Sequence, residues 1–165
     1  MTPGYVTSNQ DSRAMPNAAF AELMRAVLAK GAPFRFEAGG FSMSPFIRHG
    51  DIITVAPSPS RFRRGDVVAF MSPETGKLTV HRVVRISPRR GCLIKGDNTP
   101  APDGRVEKSA IIGRVIRVEH CGKRLRLGLG PERALLAFLS RIGLLPPLVW
   151  FLWHISRPFF RRTRP

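Results

Sequence analysis

Beyond residue 33 the chain never runs far before it is broken. "FRFEA", "DIITVA", "DVVAFM", "LTVHRVVRI", "GCLIKG" and "AIIGRVIRVEH" are short runs rich in β-branched and aromatic residues. Clusters such as "PSPS", "SPETGK", "SPRRG" and "GDNTPAPDG" separate them. Strands this short, punctuated this often by turn residues, predict a mainly β protein, an all-β sheet or partial barrel. With 15 Gly and 15 Pro in 165 residues, the chain is poorly suited to a helical bundle, yet it is long enough for one domain with a substantial core.

Helical periodicity is confined to the two ends. In "AAFAELMRAVLA" the residues Phe20, Leu23, Met24, Val27 and Leu28 fall on one stripe, with Asn17 placed to cap the start and Gly31 the end. Glu22 and Arg25 interrupt this segment, so it reads as an amphipathic helix and not as a secretory signal. Residues 1–15 are polar and irregular, as expected of a loose tail. Near the other end "PERALLAFLSRIG" predicts a helix with Leu135, Leu136, Phe138, Leu139 and Ile142 packed towards one side. "LVWFLWHI" follows Pro146-Pro147 and is apolar all round; its eight residues would rise only about 12 Å as a helix, too little to cross a bilayer alone. Trp150 and Trp153 followed by four arginines suit a segment lying at the lipid–water boundary, so residues 144–165 are expected to contact a membrane.

The charge balance of 27 basic to 11 acidic residues, a net +16, calls for an anionic partner such as phospholipid headgroups, nucleic acid or acidic peptides. Aromatics are sparse among the basic β runs, so the stacking surface of a single-strand binder is not evident and no specific nucleic acid is expected. Cys92 and Cys121 are too few for a disulfide framework and lack metal-ligand spacing; both read as ordinary packed thiols. No metal or cofactor is implied.

Three segments carry groups with chemical potential. Ser42 stands in "GGFSMSPFIRHGD", a context that also suits a turn serine. In "LTVHRVVRI", strict alternation puts Leu78, Val80, Val84 and Ile86 on one face and Thr79, His81, Val83 and Arg85 on the other, so His81 points away from the stronger apolar stripe. "KGDNTPAPDG" holds Asp97 and Asp103 in a loop after a strand. Together they supply what acyl transfer needs. A hydroxyl is a weak nucleophile until a base takes its proton. An imidazole can do that near neutral pH, and a carboxylate fixes its tautomer and steadies the imidazolium.

"SMSP" with "HGDIITV", then "RRGDVVAF", "VHRVV", "KGDN" with a further aspartate six residues on, and "IIGRV" resemble the signal peptidase I superfamily, in the same order, over residues 36–118. The resemblance implies a signal-peptidase-like, partly open β-barrel or sheet, and a layout of tail (1–15), serine peptidase domain (16–128) and a helical, apolar and basic extension (129–165). It implies Ser42 as nucleophile, His81 as base, Asp103 as the carboxylate partner and Asp97 as a supporting or alternative acid. Branches of the superfamily differ at the base: leader peptidases and the self-cleaving SOS repressors place lysine where His81 stands, whereas archaeal and endoplasmic-reticulum signal peptidases use histidine. Lys77 and Lys95 are near in sequence, but neither occupies the matching position; His49 reads as surface, and His120 and His154 lie outside the matching boxes.

The implied activity is a Ser-His endopeptidase that removes signal or leader segments from polypeptides with small residues before the cut, attached to a membrane or, alternatively, cytoplasmic. Self-cleavage is the runner-up, disfavoured because residues 1–33 are too few for a repressor's DNA-binding domain. A basic membrane- or nucleic-acid-binding protein with a degenerate site is the third reading. Two departures stand out. Many relatives read Ser-Gly-Ser-Met, whose first serine can donate to the oxyanion, where this chain has Gly40 and Phe41; losing one such donor costs about 2.7–4 kcal/mol of transition-state stabilisation. The N-terminal membrane anchor of most signal peptidases is also missing from the pattern.

Overall fold

The structure, a computed structural model, describes residues 6–7, 17–125, 127–145 and 147. Among the described residues nine strands form one sheet: β1 (Val6–Thr7), β2 (Phe34–Glu37), β3 (Ile52–Pro57), β4 (Val67–Met71), β5 (Leu78–Ser87), β6 (Gly91–Lys95), β7 (Arg105–Val106), β8 (Ile111–His120) and β9 (Lys123–Leu125). Their order is β1-β2-β3-β8-β4-β5-β6-β7, with β9 paired to β8, and every pairing except β1 with β2 is antiparallel. The protein is thus mainly β, an open sheet with the helix α1 (Asn17–Ala29) before it and, among the described residues, the helix α2 (Arg133–Arg141) after it.

The long apolar runs arise because the central strands are covered on both faces. Along β4, Val67 and Ala69 enter one apolar cluster while Val68 and Phe70 enter the other, as the two-residue period of a strand requires. The first cluster lies under α1, where Phe20 meets Phe34 and Phe36 edge-on at 5.5 and 5.4 Å. These geometries suit aromatic quadrupoles as well as burial. The second gathers Phe62, Val83, Cys92, Ile94, Val106 and Ile111. Registers slip at Thr54/Val55, Ala69/Phe70 and Val83/Arg85, and such bulges bend a sheet towards barrel-like curvature.

Several expectations need correction. Strict alternation along β5 fails: His81 to Val84 are all buried because both faces of the strand are covered, and the bulge after Val83 sends Val83 and Ile86 to the same cluster. In α1, Phe20, Met24 and Leu28 are buried as expected, with Ala21 in the place proposed for Leu23, which is 38% exposed. In α2 only part of the expected stripe packs on the protein, with Leu136 and Leu139 half-buried. Ala137 and Ser140 face the protein, whereas Leu135, Phe138 and Ile142 face outwards. Within the expected loose tail, Val6 and Thr7 pair with Phe34 and Arg35, satisfying backbone groups on the edge of β2. Cys92 is buried, but Cys121 is exposed in the turn between β8 and β9. Among the described residues no helix is long and apolar enough to cross a membrane, and the "LVWFLWHI" segment lies outside them.

Candidate active site

Ser42 rides on the loop between β2 and β3. The ladder of those strands continues past its last pair, with Ala38 N–H donating to the Asp51 carbonyl and Gly50 N–H to that of Ala38, so the loop is closed at its base. The Asp51 carboxylate is fully buried; one oxygen accepts the Arg48 N–H at 2.8 Å and the other lies 2.6 Å from His120 Nδ1. Within the loop, Met43 and Ile47 are buried in the first cluster, and the Met43 carbonyl accepts N–H groups from Phe46 and Ile47. Anchoring Met43 inward leaves Ser42 at the rim and its neighbour Phe41 67% exposed. Gly40 has φ +83°, a left-handed conformation that penalises any side chain. A serine at this position would have room but a strained backbone.

His81 is held between β4 and β6, opposite Val68, with its ring 6.3 Å from that of Phe70. It is buried, and its Nε2 lies 2.7 Å from Ser42 Oγ while its Nδ1 lies 2.6 Å from Asp103 Oδ2. Asp103 is positioned by its own backbone: its N–H donates to the Ile94 carbonyl at the end of β6. With the proton on Nδ1 donated to Asp103, Nε2 is left as the acceptor for the serine hydroxyl. The structure therefore brings Ser42, His81 and Asp103 into one hydrogen-bonded line.

Asp97 stands elsewhere. Its two oxygens accept from Arg82 Nε and Nη2 at 2.8 and 2.6 Å, both residues fully buried, and Asp97 does not meet His81. Consecutive strand residues face opposite sides, so His81 and its neighbour Arg82 draw the two aspartates of one loop apart. Arg82 Nη1 also donates to the carbonyls of Gly65 and Gly128, and the guanidinium lies 5.7 Å from the Phe46 ring centroid. It joins the serine turn, the aspartate loop and the approach to α2.

Two further residues support the site without having been singled out in the sequence. Asn98 N–H donates to the Ser42 carbonyl at 2.7 Å, and its side-chain amide donates to that of Phe41 at 3.3 Å, clamping the serine turn onto the aspartate loop. Gly96 lets that clamp close. A Cβ there would lie 2.7 Å from the Ser42 carbonyl oxygen and 3.0 Å from His81 Nε2. The "KGDN" box contained both, but nothing in a sequence tells a clamp from a turn. Of the rival bases, Lys77 is exposed and Lys95 is buried with no hydrogen-bond partner for Nζ among the described residues. Burial pushes the Lys95 ammonium below the usual lysine range, against the opposing pull of Asp97 and Asp103. His49 is exposed, though its Nδ1 accepts the Gly40 N–H at 3.4 Å; His154 lies outside the described residues.

A family model described as Peptidase S24-like matches residues 3–116, a span that includes every member of the Ser42–His81–Asp103 line. Among curated proteins, none matches the chain.

Proposed function

The chain belongs to the Peptidase S24-like family, in the clan that joins the LexA-type and signal peptidases, and from that premise we propose that it is a serine endopeptidase cutting signal or leader segments from other polypeptides. The observation that carries the reading is the pair of short contacts on His81, 2.7 Å to Ser42 and 2.6 Å to Asp103. As Ser42 Oγ attacks the scissile carbonyl carbon, its proton passes to His81 Nε2, and Asp103 steadies the imidazolium. The tetrahedral oxyanion takes the Ser42 N–H, since Gly40 offers no hydroxyl. Collapse breaks the C–N bond, the leaving amine collects the proton from His81, and water activated by the same ring releases the acyl group.

Histidine at the base position is what favours action on separate substrates, because the branch it resembles processes signal segments. The exposed Phe41 beside Ser42 leaves the nucleophile's turn open to an extended peptide, which proteases commonly bind by adding a strand. The test incubates the full chain with signal-bearing polypeptides that carry Ala or a bulky residue before the cut, and follows fragments and the chain's own mass together. Cleavage of the Ala substrate, absent in Ser42→Ala, with the chain's mass unchanged, supports the proposal. Shortening of the chain at a rate independent of its concentration favours self-cleavage instead, and absence of both products refutes a peptidase.

A further inference from the structure

The helix α2 covers Ala137 and Ser140 and half-buries Leu136 and Leu139, but leaves a row of large apolar side chains outside. Ala137 and Ser140 are fully covered, while Leu135 is 60% exposed and Phe138 and Ile142 are each 47% exposed. At about 100° per residue these three share the outward side of the helix, and Leu144 just beyond it is 52% exposed. An amphipathic helix packed only for its host would turn these three inwards as well. This face is built to meet a second apolar medium.

The surrounding charge says which medium. Arg141 is exposed on the flank of that face. At the start of the helix, Arg133 reaches Asp66 at 3.2 Å and packs against Gly65, so the loop bearing exposed Arg61, Arg63 and Arg64 adjoins the same end. A second copy of the chain would bring a net charge of +16 against +16, whereas anionic headgroups would be attracted by the arginines while the acyl region receives Leu135, Phe138 and Ile142. We propose that the outward face of α2, with its flanking arginines, is a docking surface for an anionic lipid bilayer. This inference is independent of the peptidase reading, since none of these residues belongs to the Ser42–His81–Asp103 line.

The experiment is vesicle flotation of the full chain with phosphatidylcholine alone or mixed with phosphatidylglycerol. It compares the natural chain with the triple variant Leu135→Ser, Phe138→Ser, Ile142→Ser and with Arg141→Glu. Circular dichroism and thermal melting confirm folding, and sedimentation reports the oligomeric state. Binding is expected on the anionic vesicles only, weakened by high salt and reduced roughly tenfold or more in the triple variant, with a smaller loss in Arg141→Glu. Equal binding to both vesicle types overturns the proposal, as does undiminished binding by the folded triple variant. So does a face that proves to be a self-association surface: a natural chain that sediments as a dimer, dissociated by the triple variant with no change in flotation.

Discussion

Replacing Gly96 by alanine tests how tightly the site is assembled. The new methyl would sit 2.7 Å from the Ser42 carbonyl oxygen, 2.7 Å from Thr99 Cγ2 and 3.0 Å from His81 Nε2. Ordinary van der Waals contact begins near 3.4 Å, so the Ser42 carbonyl must give by 0.7 Å (3.4 less 2.7) and His81 by 0.4 Å (3.4 less 3.0). Either movement is a large fraction of the tolerance of a 2.7 Å proton-sharing contact. A misplacement of about 1 Å can cost on the order of 10²-fold in rate, while overpacking a rigid site costs about 1–3 kcal/mol of stability. The assay is the rate of covalent labelling by a serine-directed acylating probe, read by intact mass, beside a thermal melt. Gly39→Ala is the control, because a Cβ at Gly39 meets nothing within 4 Å. Gly96→Ala should label roughly 10–10²-fold more slowly and melt a few degrees lower, with Gly39→Ala close to the natural chain. A folded Gly96→Ala that labels at the natural rate would show that the clamp around Ser42 is looser than argued.

The two aspartates should separate cleanly. Asp103→Asn is expected to slow acylation by about 10⁴-fold, because the amide favours the wrong imidazole tautomer, with little change in melting. Asp97→Asn leaves the Arg82 charge buried and poorly paired, so it should cost about 3–5 kcal/mol of stability, seen as a lowered denaturation midpoint. Lys95→Met should remove a pH dependence. Since burial lowers the folded pKa below the unfolded one, the unfolded chain holds more protons between the two values. Stability of the natural chain should therefore gain from this group as pH rises through that alkaline window, a gain absent from denaturation curves of the variant. Glu119 has the same sign at the acid end of the profile. Its hydrogen bond to Arg35, together with Arg117, holds its carboxyl below the usual range, so the stabilisation is present above the unfolded pKa and lost as pH falls through the folded one. Glu119→Gln should flatten that acid limb of the stability profile.

Where hydrophobic period and turn chemistry agree, the sequence is legible. The six principal strands and α1 stand within a residue or two of their expected places because strand runs between Gly and Pro clusters have few alternatives. The strands β7 and β9, of two and three residues, carry no period to read, and their pairing comes from neighbours distant in sequence. The bulge after Val83 was equally invisible, since β-branched residues suit either face of a strand buried on both sides. Ser42, His81 and Asp103 were legible as motif boxes, but the choice between Asp97 and Asp103 depended on Arg82, an adjacent residue whose facing is spatial information. The orientation of α2 eluded the pattern because periodicity identifies an apolar face without saying whether protein covers it.

The most direct measurement maps the adduct left by a serine-directed acylating probe on the full chain, by peptide mass spectrometry, in the natural protein, His81→Ala and Ser44→Ala. A single adduct on Ser42, retained in Ser44→Ala and slowed by orders of magnitude in His81→Ala, is the predicted result. Labelling of Ser42 that proceeds equally fast without the imidazole, or no adduct at Ser42 in the folded natural chain, would contradict it.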